Sequence, residues 1–260
     1  MTDALLSPAA HTLSPAAHHP GTQPGGPLRV AVLQSNYVPW KGYFDIIHGV
    51  DLFVFYDDLQ FTKNDWRNRN RIKGTQGPEW LTIPVGQDMN RLICEVELKD
   101  HGWQAKHWRT LQQHYGKCAH FARYKDYFED VYLGQRWTHL SALNHALIQH
   151  ISREFLGLKT RFADSRNYTL QGQKLDRLLD LVKQTGASSY LSGPAARDYI
   201  KPARFGALGI DLRWQDYAGY PEYPQRFPPF EHGVSILDLL FNTGPDAPWH
   251  IWGWRAGATA

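Results

Sequence analysis

Past residue 27 the first apolar run predicts a buried strand. Four of the six residues in 28–33, Leu-Arg-Val-Ala-Val-Leu, are large aliphatics, and Pro27 closes off anything upstream. A second run, 51–57, Asp-Leu-Phe-Val-Phe-Tyr-Asp, predicts another strand, ending in the acidic pair Asp57-Asp58. Between them Pro39 suits the first turn of a helix and Gly49 its end, so 40–48 predicts a short crossover helix. Strand, polar aromatic loop, helix, strand is a unit of an open parallel sheet. Its first loop lies at the carboxyl edge, with a helix N-terminus behind it, where ligands collect. Gln34, Asn36, Tyr37, Trp40, Lys41 and Tyr43 are therefore the first pocket candidates.

Further along, 77–85 predicts a short strand ended by Gly86, and 93–98 alternates in the manner of another. The stretch 103–115 predicts a helix with Trp103, His107, Leu111 and His114 near one face. The two histidines there either contact substrate or sit hydrogen-bonded in an aromatic interior, the commoner case. A second helical stretch, 124–158, carries the stripe Leu140, Leu143, Leu147, Ile151, Phe155 and Leu158, and a third covers 173–185 before Gly186. A short strand ends at Ser192-Gly193, where Pro194 opens a helix, and a last strand falls in 209–215. The Tyr- and Pro-rich loop 217–229 reads as a cover for the pocket or an interface. The run 235–242 is an amphipathic helix stopped by Gly244, with Ser235 and Asp238 as a capping pattern, and 256–260 is expected to fray. The predicted fold class is α/β: a mostly parallel open sheet with a nucleotidyltransferase/HUP-like opening unit, helices packed around it, and a helical insertion over about 103–158.

Composition narrows the function classes. With 42% hydrophobic residues, 260 residues can bury a large core, read as one domain over 28–255 behind a tail. The tail, 1–27, nearly duplicates Leu-Ser-Pro-Ala-Ala-His and lacks large apolar residues beyond a few leucines, a composition that predicts disorder. A net charge of +3 with interspersed signs gives no nucleic-acid footprint. Cys94 and Cys118 stand in dissimilar contexts, which fits free thiols in a cytoplasmic protein, with one disulfide still open. No apolar run reaches the length of a membrane span. His139, His145 and His150 form no i, i+4 pair and both cysteines are remote from them, so no metal site is expected.

The densest cluster of functional groups is 57–73. Lys63, Arg67, Arg69, Arg71 and Lys73 are cations, with Asp65 the single anion from 63 onward, and Gln60, Asn64, Asn68, Asn70 and Trp66 are interleaved. Guanidinium forks suit phosphate or carboxylate oxygens, and Trp offers a stacking face. A solvated hairpin rim explains the same run equally well. Ser192 and Gly193, at a strand-to-helix corner, can offer a hydroxyl and backbone donors to an anion, or simply cap a helix.

These motifs together resemble the WbqC-like protein family over roughly 29–244: Gln34 through Pro39-Trp40 and Gly42-Tyr43-Phe44; Phe53 through Asp57-Asp58; Lys63 through Asn68-Arg69-Asn70; Trp80-Leu-Thr-Ile-Pro-Val85; Tyr190-Leu-Ser-Gly193 with Tyr199; and Ser235 through Asp238-Leu-Leu-Phe-Asn242. The resemblance implies a link to bacterial O-antigen and other surface-polysaccharide (lipopolysaccharide) biosynthesis, with a glycine-transferase role suggested for some members. A fainter likeness, in Pro39-Trp40-Lys41-Gly42-Tyr43 and the acid-tipped second strand, is to HIGH-motif nucleotidyltransferases and pantothenate-synthetase-like ligases. Trp40 and Tyr43 replace the two histidines of that motif, so Lys41, Lys63, Arg67 or Arg69 would have to assist a phosphoryl centre, and a nucleotide with magnesium is the cofactor this likeness allows.

The expected function is a transferase placing an amino-acyl (glycyl among them) or acyl group on an amino-sugar precursor, with a sugar nucleotide or activated amino acid as its small-molecule partner. Asp57, Asp58 or Asp65 would accept the proton and Lys63 supply charge. Gln34, Asn36, Tyr37, Trp40, Lys41, Tyr43, Gln60, Arg67, Asn68, Arg69, Ser192, Gly193 and Tyr199 would bind substrate. The alternatives are an ATP-dependent ligase or nucleotidyltransferase, and a non-catalytic sugar-nucleotide-binding protein.

Overall fold

The computed structural model describes residues 26–257. The tail expected over 1–27 lies outside the described residues except for Gly26 and Pro27, and so does 258–260 of the expected frayed end. In chain order the elements are β1 (Arg29–Leu33), α1 (Lys41–His48), β2 (Leu52–Phe55), β3 (Arg69–Gly74), β4 (Gly77–Thr82), α2 (Gly102–Tyr115), α3 (Phe121–Glu129), α4 (Leu140–His150), β5 (Arg161–Asp164), α5 (Lys174–Gln184), β6 (Ser189–Ser192), α6 (Pro202–Gly206), β7 (Asp211–Trp214) and α7 (Ile236–Thr243).

Five strands form one sheet in the order β5-β2-β1-β6-β7, and every neighbouring pair is parallel. The order places the first strand at the centre and reverses direction between β1 and β6, as in doubly wound α/β sheets. Alternation along the strands explains why both faces are covered. Ala31, Phe53 and Phe55 point into a large core shared with α1, α2, α3, α4 and α7, whereas Val30, Val32, Leu52 and Val54 point to the opposite core, under α5 and Phe205 of α6. The apolar runs that predicted β1 and β2 are thus strands buried on both sides. The hairpin β3–β4 is a separate antiparallel pair, turning at Gly77, whose φ of +118° suits a residue without Cβ.

Three expectations are corrected. Residues 93–98 form no strand: Ile93–Glu95 is a 3-10 turn whose amides reach back to the stretch after β2, Ile93 N–H to Leu59 O and Cys94 N–H to Asp57 O, both at 2.9 Å. The apolar alternation there arises because Ile93, Val96 and Leu98 all enter the core from an irregular segment. The continuous helix over 124–158 is broken. Wide turns end α3 at Asp130–Gly134 and α4 at Ile151–Phe155, and between them His139 bridges to Glu97 while Thr138 O accepts from Leu98 N–H. After Pro194 the chain makes a 3-10 turn, Pro194–Asp198, rather than an α-helix.

One interior joint ties the first loop to the helices. Tyr37 is fully buried, and its hydroxyl lies 2.9 Å from His107 Nδ1 and 2.5 Å from the Tyr132 hydroxyl. His107 Nε2 sits 3.2 Å from the Thr82 carbonyl, which can only accept, so Nε2 carries the proton and Nδ1 accepts from Tyr37. His107 is a satisfied core histidine, and burial lowers its pKa to about 4. Its imidazole in the unfolded chain titrates near 6.5, so stability is full above that pH and is lost as pH falls from there towards the folded value, by up to roughly 3 kcal/mol. Denaturant titrations at pH 7 and pH 4.5 are expected to show this loss. His107→Phe, though less stable at pH 7, is expected to give a flatter dependence, and an equally steep one would assign the loss to other groups.

Candidate active site

The loop from β1 to α1 is held in an unusual conformation. Val38, β-branched and fully buried, has φ of +36°, a region such residues avoid. Two side chains fix it. Asn70 Nδ2 of β3 donates to the carbonyls of Tyr37 and Val38, each at 3.0 Å, and Ser235 Oγ donates to Val38 O at 2.7 Å. Backbone bonds complete the clamp: Tyr37 N–H to Trp66 O, Ser235 N–H to Arg71 O, and Ile236 N–H to Pro39 O. At Gly42 a Cβ would meet the Trp40 ring at 2.3 Å, so the first turn of α1 requires glycine for the indole to fold back over it.

Beside this loop, at the carboxyl end of β2, lies Asp57, with no solvent exposure. It accepts from Ser35 N–H and Ser35 Oγ, both at 2.7 Å, and from His145 Nε2 of α4 at 2.9 Å. Burial alone raises a carboxyl's pKa. Here the His145 and Ser35 hydrogen bonds outweigh it and hold Asp57 below the ordinary carboxylate value. His145 stacks on Phe55, with ring centroids 3.8 Å apart, and its Nδ1 lies 4.0 Å from Asp164 at the end of β5, making no hydrogen bond to the described residues. Asn144, buried one position earlier, donates to Ser35 Oγ and to Arg67 O. The result is an imidazole oriented by a buried carboxylate, with one nitrogen left for chemistry, where three parallel strands end.

Arg67 brings the basic segment to this loop. Its guanidinium donates to Gln34 Oε1 and, at 2.9 Å, to Asn36 Oδ1, with Asp65 3.5 Å away. Tyr43, also buried, donates its hydroxyl to Gln34 O. Gln34, Asn36, Tyr43, Asp57 and Arg67 are therefore together. Asp58 is engaged by Arg177 and Ser165 Oγ, and Asp65 closes a turn by accepting from Thr62 Oγ1 and Trp66 N–H. The rest of this stretch is engaged elsewhere: Arg69 lies on Trp80 of the hairpin at 4.2 Å, while Lys63 donates to Gln87, Gln60 to Met89 O, and buried Asn68 to Ile83 O. Tyr37 points into the core. Ser192 and Gly193 end β6, the strand beside β1, but Ser192 O accepts from Gln215 N–H and Gly193 lies near Tyr217, while Tyr199 is 61% exposed; none is tied to the Arg67 cluster.

Lys41 stands apart. Its side chain is 3% exposed, and Nζ lies within 5.0–5.8 Å of the Tyr220, Tyr223 and Phe230 rings without a hydrogen-bond partner. Burial lowers its pKa to about 8, against the pull of Asp238 and Glu222. Asp238 accepts from Tyr115, Tyr223 and Gln225, while Ser235 caps α7 by accepting from Leu237 N–H. The aromatic loop after β7 thus covers Lys41.

Several members of the cluster are not among the site residues expected from the sequence: Ser35, Asn144, His145, Asp164 and Arg166, and also Cys94, which is within electrostatic reach of Arg166 and Asp57. Asn144 carried a signal, because it falls on the apolar stripe of α4, one turn from both Leu140 and Ile148. Among the described residues there is no group of three or more His, Cys, Asp or Glu placed to hold a metal ion, and no helix is long and apolar enough to cross a membrane.

The family model described as "WbqC-like protein family" matches residues 34–249. A protein of Mycobacterium tuberculosis (strain ATCC 25618 / H37Rv) named "Uncharacterized protein Rv1507c" is 47% identical over 222 residues, which cover 85% of this chain and 96% of that protein. No solved structure matches.

Two outcomes follow from the buried charges. Asp57 stabilises the fold fully above the ordinary carboxylate range near pH 4, and that contribution is lost as pH falls through its lower folded value. Asp57→Asn is expected to destabilise by about 2–4 kcal/mol at pH 7 in denaturant melts; an unchanged midpoint would count against the network. Lys41→Met is expected to stabilise by about 1–3 kcal/mol. It should also remove the rise in stability expected of the wild type from pH 8 to 9.5, where the unfolded lysine keeps a proton that the folded one has released.

Proposed function

Because the chain belongs to the WbqC-like protein family, we propose that it is a transferase of bacterial surface-polysaccharide (O-antigen type) biosynthesis, acting in the cytoplasm to place an acyl or amino-acyl group, glycyl among them, on an amino-sugar precursor. The observation that supports this reading is the pair formed by His145 and buried Asp57, beside the Arg67 guanidinium.

In the proposed reaction the sugar amine attacks the carbonyl carbon of the activated acyl group. As the new N–C bond forms, His145 Nδ1 takes the amine proton. The bond from carbon to the leaving group then breaks, the electron pair departs with that group, and the imidazolium returns the proton to it. Asp57 is too buried and too well hydrogen-bonded to serve as the base. It fixes the imidazole through Nε2 and stabilises the imidazolium that forms. Arg67, with Gln34 and Asn36, meets the phosphate or carboxylate of the substrate.

A second reading, an ATP-dependent ligase or HUP-like nucleotidyltransferase using a nucleotide with magnesium, draws on the strand order with β1 central. Sugar nucleotides bearing a free amine, incubated with activated glycine, are expected to give an amide product detected by mass. His145→Ala is expected to lower kcat by about 10²–10⁴, measured well below the melting point of this less stable variant. Full turnover in that variant would remove His145 from the mechanism, and pyrophosphate release from magnesium ATP that requires Lys63 or Arg69 would favour the second reading.

A further inference from the structure

A cavity of about 290 Å³ opens beside the candidate active site, between the β1–α1 loop and the β3–β4 hairpin. Pro39 and Trp40 form its apolar wall, Trp66 its rim, and Asn36 and Arg71 its polar edge. Its volume is at the small end for ligand sites, which suits one ring rather than a whole nucleotide sugar.

The lining has the chemistry of a saccharide ring site. Trp66 packs against Trp80 at 5.5 Å and is still 41% exposed, so a large aromatic surface at the rim is left in water. The far end of that stack is already taken, because Arg69 lies over Trp80. Around the edge, Arg71 donates through one terminal nitrogen to Gly233 O, while its buried Nε has no partner. Asn36 Oδ1 accepts from Arg67, and Asn36 Nδ2 bonds no described residue. Apolar wall and aromatic rim match the C–H faces of a pyranose. The Asn36 amide and the Arg71 guanidinium at that edge are hydrogen-bonding groups that suit the hydroxyls of such a ring. Asn36 also adjoins Ser35, whose amide and hydroxyl hold Asp57, so the cavity and the imidazole share one loop.

We propose that this cavity is the acceptor subsite, binding the pyranose ring of the amino sugar against Trp66 and Trp40, with Asn36 and Arg71 bonding its hydroxyls. The word acceptor rests on the transferase reading; saccharide binding here does not, and it is tested without turnover. In saturation-transfer NMR the full chain is presented with methyl glycosides of 2-amino and 4-amino hexoses, and separately with uridine monophosphate. The ring protons of at least one hexose are expected to take up saturation, with about tenfold weaker binding in Trp66→Ala and near-wild-type binding in Trp66→Phe, which keeps an aromatic face. Trp66 is exposed enough that both variants should keep the wild-type circular dichroism. Hexose binding equal to wild type in Trp66→Ala, no hexose binding at all, or Trp66-dependent binding of the uridine nucleotide alone would each overturn the proposal. Trp66-dependent hexose binding without any turnover would keep the cavity assignment and remove the transferase reading. Turnover with an unaltered sugar KM in Trp66→Ala would do the reverse.

Discussion

The architecture of the site depends on one constrained residue. Val38 keeps a left-handed backbone that costs a β-branched residue on the order of 1–3 kcal/mol. It persists because its carbonyl and that of Tyr37 are captured by Asn70 from the hairpin and by Ser235 from the cap of α7. The kink turns the loop sharply after β1, so that consecutive residues do different work. Ser35 faces Asp57, Asn36 faces Arg67 and the cavity, Tyr37 enters the core, and Trp40 starts a helix. Three segments distant in the chain are joined by this turn: 34–40, 66–71 and 233–236.

Electrostatics explains why the sheet ends as it does there. A carboxylate without solvent contact is tolerable only when hydrogen bonds replace its water, and Asp57 receives three from Ser35 and His145. That requirement recruits α4, since its consecutive residues Asn144 and His145 bond Ser35 Oγ and Asp57 respectively. The long excursion through α2, α3 and α4 between β4 and β5 therefore does more than fill a core. It returns with the imidazole that the carboxylate of β2 needs, stacked on Phe55 two residues before that acid.

How much of this was legible in the sequence follows from the range of each interaction. The strands β1 and β2, the helix α1 and the ends at Gly49 and Ser235 are local, and apolar runs with Pro, Gly and capping signals sufficed to predict them. Gln34, Asn36 and Arg67 were legible as polar groups near an expected sheet edge. His145 was not, because its partner lies 88 residues away and a histidine on a helix carries no local mark of what it faces. Cys94 likewise reads as an isolated thiol until the turn at Ile93–Glu95 returns it to Asp57. Conversely Tyr37 and Lys41, polar and well placed in sequence, prove to be buried, the first by the kink at Val38 and the second by an aromatic loop that follows the last strand.

The strand order would place a ligand in the crevice between β1 and β6, where the sheet reverses. This chain obstructs that position. Asp45 of α1 accepts from Gln215, from the Tyr220 hydroxyl at 2.6 Å and from both terminal nitrogens of Arg255, tying the segment after β7 and the stretch around Arg255 down onto α1. Trp40 packs against Tyr217 and Tyr220 of the same segment. With the β6–β7 side engaged in this way, the loop after β1 leans towards β2 and the hairpin, and the free polar groups gather over β1, β2 and β5. Ser192 is left out for the same reason: it lies on the β6–β7 side, where its carbonyl accepts from Gln215 N–H.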